Sequence, residues 1–285
     1  MATSKVAANG KPIKVIIVSI MALSFIVLCH TYIIGNGRYK ALNKTDTFMY
    51  PHDGFFLNLR EYYRLLIHVQ KKVDSVVTSR NSITGTIAWY PSQVYYYARI
   101  VSSSKIKNVC ELGYGAGNSA LLYLTMNPEV TLYSFDLFPV PSEQALISET
   151  LPRQGFYQKI TLDYIKESDD LSHRFHQIAG NSNLSIPKFA NDNPNFKCDM
   201  ISIDGSHQSP QVYFDILHFR KLAKSEISVL LDDVNDAPVR KDMDRAIAEG
   251  LLKEQECLIP EQIHDENFKL YDFLKKVFCA ARYLV

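Results

Sequence analysis

Asn108-Val109-Cys110-Glu111-Leu112-Gly113-Tyr114-Gly115-Ala116-Gly117 reads as a buried strand ending in a carboxylate, then three glycines at alternate positions, then a helix. Ile106, Val109 and Leu112 form the apolar run that carries the loop to the C-terminal edge of a sheet. The glycines let the backbone turn sharply and approach a ligand closely, because no Cβ intervenes. A helix from about Asn118 through Leu124 then points its N-terminal N–H groups at whatever binds there.

The spacing discriminates between ligands. A dinucleotide fingerprint wants G-x-G-x-x-G, with a pyrophosphate at the helix N-terminus. Here the third glycine comes one residue early, and Glu111 sits in the turn, where it would repel a pyrophosphate. It suits instead a ligand bearing an ammonium and a sulfonium. The segment resembles motif I, E-x-G-x-G-x-G, of the class I S-adenosylmethionine (SAM) dependent methyltransferases. That resemblance implies SAM as cofactor, with Glu111, Gly113, Gly115 and Gly117 in the cofactor site. A second strand, from Val130 to Phe135, ends at Asp136. An acid about 20 residues past the glycines accepts ribose hydroxyls in α/β nucleoside sites. Asp136 fits that role, or else it caps a turn ahead of Pro139 and Pro141.

From residue 106 onward strands alternate with helices. Strands are expected at 106–112, 130–136, 158–164, 197–203, 226–232, 254–260 and 276–284, and helices at 118–126, 142–151, 209–223 and 238–252. This pattern predicts an α/β, Rossmann-like sheet, mostly parallel, with helices on both faces and a ligand at the carboxyl ends of the central strands. Ahead of it, residues 57–105 form a helical part: Leu57, Tyr62, Leu65, Leu66, Val69, Val73 and Val76 recur at helical spacing, and Pro91 opens a second helix. Aromatic residues crowd Trp89, Tyr90 and 95–97, either as helix packing or as a lid over the site.

Two further strand ends carry acids. Residues 198–207, Cys-Asp-Met-Ile-Ser-Ile-Asp-Gly-Ser-His, end a strand at Asp204, and residues 226–233 end another at Asp232 and Asp233. Three crowded carboxylates repel one another unless something positive sits between them. A hard divalent cation such as Mg²⁺ or Ca²⁺ takes oxygen ligands and fits such a cluster, although an acid after a strand also commonly caps a turn. The segment from about 106 to 236 resembles the small-molecule and sugar O-methyltransferases that include the macrolide-sugar enzymes, which carry an IDG-x-H element followed by an acidic pair. More distantly it is similar to the catechol type, whose last metal ligand is an amide where this chain has Asp233. The resemblance implies that Asp204, Asp232 and Asp233 hold a metal, Mg²⁺ foremost, and that His207 is the catalytic base beside Asp204. His173 and His176 have no acidic partner pattern and are expected to face solvent.

The 285 residues carry a formal net charge of +1, so no bulk electrostatic attraction to nucleic acid is expected. A short basic tail, 1–14, precedes an apolar stretch at 15–35 that is just long enough to cross a bilayer as a signal anchor; a cleaved signal peptide is the alternative. A linker at 36–56 then leads to a methyltransferase domain at 57–285. The sequons at Asn43 and Asn183 favour a lumenal catalytic domain in the secretory pathway and predict glycans there. Among five cysteines, Cys110 lies on the first strand, while Cys257 and Cys279 either pair or stay as core thiols; no C-x-x-C suggests structural zinc. The expectation is therefore a membrane-anchored, SAM-dependent, metal-assisted O-methyltransferase for a glycan or small-molecule hydroxyl. The alternatives are a silent binding module that keeps the fold, or a methyltransferase for a non-oxygen acceptor.

Overall fold

The computed structural model describes residues 54–76, 87–138, 153–260 and 276–284. The basic tail, the apolar stretch at 15–35, Asn43, most of the linker and the expected helix at 142–151 lie outside the described residues. Among the described residues no helix is long and apolar enough to cross a membrane.

In chain order the elements are α1 (Phe55–Val76), a 3₁₀ turn (Ile87–Trp89), α2 (Pro91–Val101), β1 (Asn108–Leu112), α3 (Asn118–Met126), β2 (Thr131–Asp136), α4 (Arg153–Glu167), α5 (Asp169–Ser172), β3 (Phe175–Ala179), α6 (Ser182–Asp192), β4 (Cys198–Ile203), α7 (Gln211–Phe219), β5 (Ala223–Leu231), α8 (Ala237–Ala248), β6 (Leu252–Leu258) and β7 (Phe278–Tyr283). One seven-stranded sheet runs β3-β2-β1-β4-β5-β7-β6. The first five strands pair in parallel, and β7 runs antiparallel to both β5 and β6.

Strand parity explains why the sheet is covered on both sides. Val109, Leu132, Met200, Leu230 and Ala280 pack into one buried cluster with α1, α2, α3 and α4. Their chain neighbours Cys110, Ile201, Val229, Leu231 and Ala281 face the opposite cluster, with α6, α7 and α8. Near-continuous apolar strands such as Cys198–Ile203, buried at every position, are what a sheet covered on both faces requires. The chain leaves β1 toward β2 and β3 and then crosses to β4, so the strand order reverses between β1 and β4. That reversal opens a crevice at the carboxyl ends of β1 and β4, where such sheets bind ligands.

Three expectations fail for identifiable reasons. The expected strand at 158–164 is the middle of helix α4. Ile160, Leu162 and Tyr164 alternate, but the most deeply buried residues are Tyr157, Thr161 and Ile165, a four-residue repeat that only a helix places on one face. The strand at Phe175–Ala179 was not expected; it is an edge strand with few buried positions, and His176 on it is exposed. Helix α6 was hidden by the internal Pro187, which weakens any helical reading.

The four cysteines among the described residues are paired. Cys110 bonds Cys198 across β1 and β4, and Cys257 bonds its directly opposed neighbour Cys279 across β6 and β7. The aromatic crowd on α2 is packing: Tyr97 lies against Tyr123 and Phe278, Tyr96 against Phe278, and Tyr95 against Phe55.

Candidate active site

A cleft of about 160 Å³ opens at the reversal point. Its walls include Ile87, the glycine loop from Gly113 to Ala116, Asn118 and Ser119 at the start of α3, and Asp204, Gly205, His207 and Asp233 from the ends of β4 and β5. The glycine motif and the acidic strand ends, 87 or more residues apart in the chain, thus share one cavity.

Gly113 shows why the loop needs glycine. Its φ is +91°, and a Cβ there would lie 2.6 Å from the carbonyl carbon of Asp204. The loop therefore runs in direct contact with the backbone that presents Asp204, and both strand ends are tied: Gly113 N–H donates to Phe135 O at 2.9 Å and Asp204 N–H to Leu112 O at 2.9 Å. Gly117, also at positive φ, is the N-cap of α3, so the first-turn N–H groups of that helix face the cleft beside Asn118 and Ser119.

Glu111 sits beneath this loop, 1 % exposed, and is not part of the cleft wall. It accepts hydrogen bonds from the hydroxyls of Ser119 and Ser134. Burial pushes its carboxyl up to about 7, against the pull of those two hydroxyls. Asp136 is likewise engaged by the loop: one carboxylate oxygen accepts from Tyr114 N–H at 2.8 Å and Gly115 N–H at 3.2 Å, the other from Phe138 N–H at 3.3 Å. Both acids thus hold the shape of the glycine loop and its junction with α3.

The acidic end is arranged differently from the expected trio. His207 is its hub: Nδ1 lies 2.9 Å from Asp236, while Nε2 lies 3.4 Å from Asp233 and 3.7 Å from Asp204. The Asp204 hydrogen bond and the surrounding carboxylates push His207 up to about 9, against the effect of burial. Burial and the nearby Asp232 carboxylate raise the Asp204 carboxyl. Asp232 does not line the cleft. One of its oxygens lies 2.7 Å from the Lys276 ammonium; the other accepts from the Gln93 side-chain amide at 3.0 Å and from Asp233 N–H at 3.0 Å. Lys276 also lies 3.5 Å from Asp233 and faces the Tyr90 ring at 5.0 Å. Burial pushes Asp232 and Asp233 up while Lys276 pulls them down; burial pushes Lys276 down, but the three carboxylates outweigh it and raise its pKa. With an ammonium at 2.7 Å we take the pair as charged.

The structure therefore brings Gly113, Gly115, Asp204, His207 and Asp233 to the cleft, with Glu111, Gly117 and Asp136 supporting its loop and Asp232 turned toward Lys276. Asp204, His207 and Asp233 offer ligand atoms within 4.8 Å of one another. The expected trio of Asp204, Asp232 and Asp233 does not fit a divalent ion in this arrangement: one Asp232 oxygen accepts from Gln93 and from Asp233 N–H, and the other, without a hydrogen bond of its own, faces the Lys276 ammonium at 2.7 Å. Sequence reasoning missed Lys276, Gln93 and Asp236, whose partners lie far along the chain or on the next helix cap. A lysine next to a strand that follows the acidic pair was the one available signal. His173 and His176 are exposed, as expected, and His176 stacks on Tyr133 at 4.8 Å.

Residues 110–234, from β1 through the end of β5, match a family model described as a methyltransferase domain. That match and the strand order liken this part of the chain to the class I SAM-dependent methyltransferases, the O-methyltransferases among them. Among solved structures, an O-methyltransferase from Bacillus cereus, in complex with SAH, aligns with a TM-score of 0.50 and 13% identity over 83% of this chain and 94% of that one. A candidate O-methyltransferase from Klebsiella pneumoniae aligns with a TM-score of 0.52 and 13% identity, covering 77% and 90%. Likeness at that identity speaks for the fold. No curated protein matches the chain.

Proposed function

We propose that this protein transfers the methyl group of SAM to a hydroxyl oxygen of a small molecule or glycan. The observation that carries the reading is the shared cleft, in which the glycine loop and the start of α3 face Asp204 and His207. The glycine loop and the first-turn N–H groups of α3 would hold SAM, those N–H groups suiting its carboxylate, and SAM would supply the methyl group. The acceptor oxygen attacks the methyl carbon in line; the carbon–sulfur bond breaks, and its electron pair stays on sulfur. His207 takes the hydroxyl proton, and Asp236 and Asp204 stabilise the imidazolium that forms. Most of the rate enhancement comes from alignment and the exclusion of water.

The two disulfides support an oxidising compartment, consistent with a lumenal domain behind a membrane anchor at 15–35. Asn183 does not support a glycan: its side-chain amide pairs reciprocally with that of Gln211, at 2.8 and 3.1 Å, and a glycan on that nitrogen would break the pair.

The test is incubation of the full-length protein with methyl-labelled SAM and a panel of phenols, glycans and amines. Label recovered as alkali-stable methyl ethers, and lost in His207→Ala, supports the proposal. Label on nitrogen, or turnover unchanged in His207→Ala, overturns it.

A further inference from the structure

Four carboxylates, Asp204, Asp232, Asp233 and Asp236, converge at this end of the sheet, and the chain supplies its own cations to them. Lys276 is the deeper one. It is 8 % exposed overall, its ammonium lies 2.7 Å from Asp232 and 3.5 Å from Asp233, and Asp232 itself is 4 % exposed. A buried ammonium is tolerated only where carboxylates pair with it.

The position of Lys276 is fixed by the backbone. Val277, its neighbour, donates its N–H to the Asn235 side chain at 2.9 Å and accepts from Val234 N–H at 2.7 Å. These bonds clamp the start of β7 onto the same loop that presents Asp232 and Asp233. On the other side, Gln93 from α2 donates to Asp232 at 3.0 Å and to the Tyr97 hydroxyl at 3.1 Å. Asp232 is thus enclosed by Lys276, just ahead of β7, and by donors from α2 and its own loop. A Mg²⁺ ion bound to either Asp232 oxygen sits about 2.1 Å from that oxygen. On the oxygen that faces Lys276, the ion would lie no more than about 5 Å from the ammonium in a site nearly closed to water.

We infer that Lys276 is the resident cation of this site: its ammonium occupies the place of a divalent metal, so that methyl transfer here requires no metal ion. Lys276 is a positioning residue in this account. It neutralises Asp232 and Asp233 from behind and leaves Asp204 and His207 turned to the cleft. The inference deepens the proposed methyl transfer and rests on that reading of the cleft, but its test reads metal binding without turnover, so the two can fail separately.

The experiment is titration of Mn²⁺ into the full-length protein, followed by electron paramagnetic resonance of the free ion, for the natural chain, Lys276→Met and Asp233→Asn. The natural chain is expected to take up no stoichiometric Mn²⁺ at micromolar concentration. Folded Lys276→Met, which leaves Asp232 unpaired, is expected to bind one equivalent at least about a hundredfold more tightly than the natural chain, since a unit charge near the ion is gone. One tight equivalent in the natural chain, abolished by Asp233→Asn, overturns the inference, and that measurement stands even if Lys276→Met fails to fold. A folded Lys276→Met that gains no ion also overturns it.

Discussion

Replacing Gly113 by alanine tests whether the glycine loop and the Asp204 backbone are in the contact described. The new Cβ meets the Asp204 carbonyl group, with its carbon at 2.6 Å, and a backbone carbonyl cannot swing aside as a side chain can. Positive φ costs an L-residue about 1–2 kcal/mol, and forcing extra volume into a packed site costs about 1–3 kcal/mol. The clash belongs at the upper end of that range, since β1 and β4 must part to relieve it, so the total is about 4–5 kcal/mol. Gly250→Ala is the control: its φ is +70°, but nothing lies within 4 Å of the added Cβ. It pays the backbone cost alone, about 1–2 kcal/mol. The difference of about 3 kcal/mol corresponds to a melting temperature lower by roughly 6–12 °C for Gly113→Ala. Thermal unfolding followed by circular dichroism reads the difference, and calorimetry reads SAM binding, which Gly113→Ala should also lose. Equal melting temperatures for the two variants, with SAM binding intact in both, would refute the contact.

Further outcomes follow from the same geometry. The Glu111 carboxyl is raised to about 7, so the stability it contributes is complete below its unfolded value and lost as pH rises through 7. Glu111→Gln should therefore be more stable than the natural chain at pH 8 by up to about 3 kcal/mol and nearly equal at pH 4.5. Urea denaturation at both pH values decides this, and a difference independent of pH would count against the buried acid. His207, raised to about 9, accepts a proton only once it has lost its own, so kcat/KM should climb with pH until about 9 and level off above it. A profile flat from pH 6 to 9 would remove His207 as the base. Maleimide labelling of the denatured, unreduced chain should reach at most one thiol, Cys29, because the other four cysteines are paired; three or more labels would contradict the pairing. Asn183→Gln should leave any glycosidase-sensitive gel shift unchanged, whereas a smaller shift in that variant would show that the Asn183–Gln211 pair gives way to a glycan.

Much of the sheet was legible because the apolar strands announce themselves and the glycine loop fixes where the first one ends. β1, β2, β4 and β7 fall within the expected segments, while β5 and β6 overlap theirs and begin earlier, at Ala223 and Leu252. β3 was not legible: an edge strand keeps only part of its side chains from water, and Phe-His-Gln-Ile-Ala carries too few apolar residues to signal itself. The middle of α4 was misread because Ile160, Leu162 and Tyr164, partly buried and packed against the core, alternate over a short window beside the more deeply buried Tyr157, Thr161 and Ile165. At the site, the residue types were readable and their pairing was not. Asp204, His207 and Asp233 meet at the cleft because two strand ends are neighbours, which parallel pairing of β4 and β5 makes natural. Crowded carboxylates correctly demanded a positive partner, but nothing local to residues 198–236 points to Lys276, which lies just ahead of β7, the strand inserted between β5 and β6. Glu111 and Asp136 show a further limit. Their spacing from the glycines marks them as site residues, yet only the structure shows their carboxylates spent on holding the loop.

The most direct test of the central claim is calorimetric titration of SAM into the full-length protein, alongside Asp204→Ala and Gly113→Ala. The account predicts saturable binding of one SAM per chain, weakened in Asp204→Ala and lost in Gly113→Ala. Absence of binding by a natural chain shown to be folded would contradict it, and the cleft between the glycine loop and the acidic strand ends would then not be a SAM site.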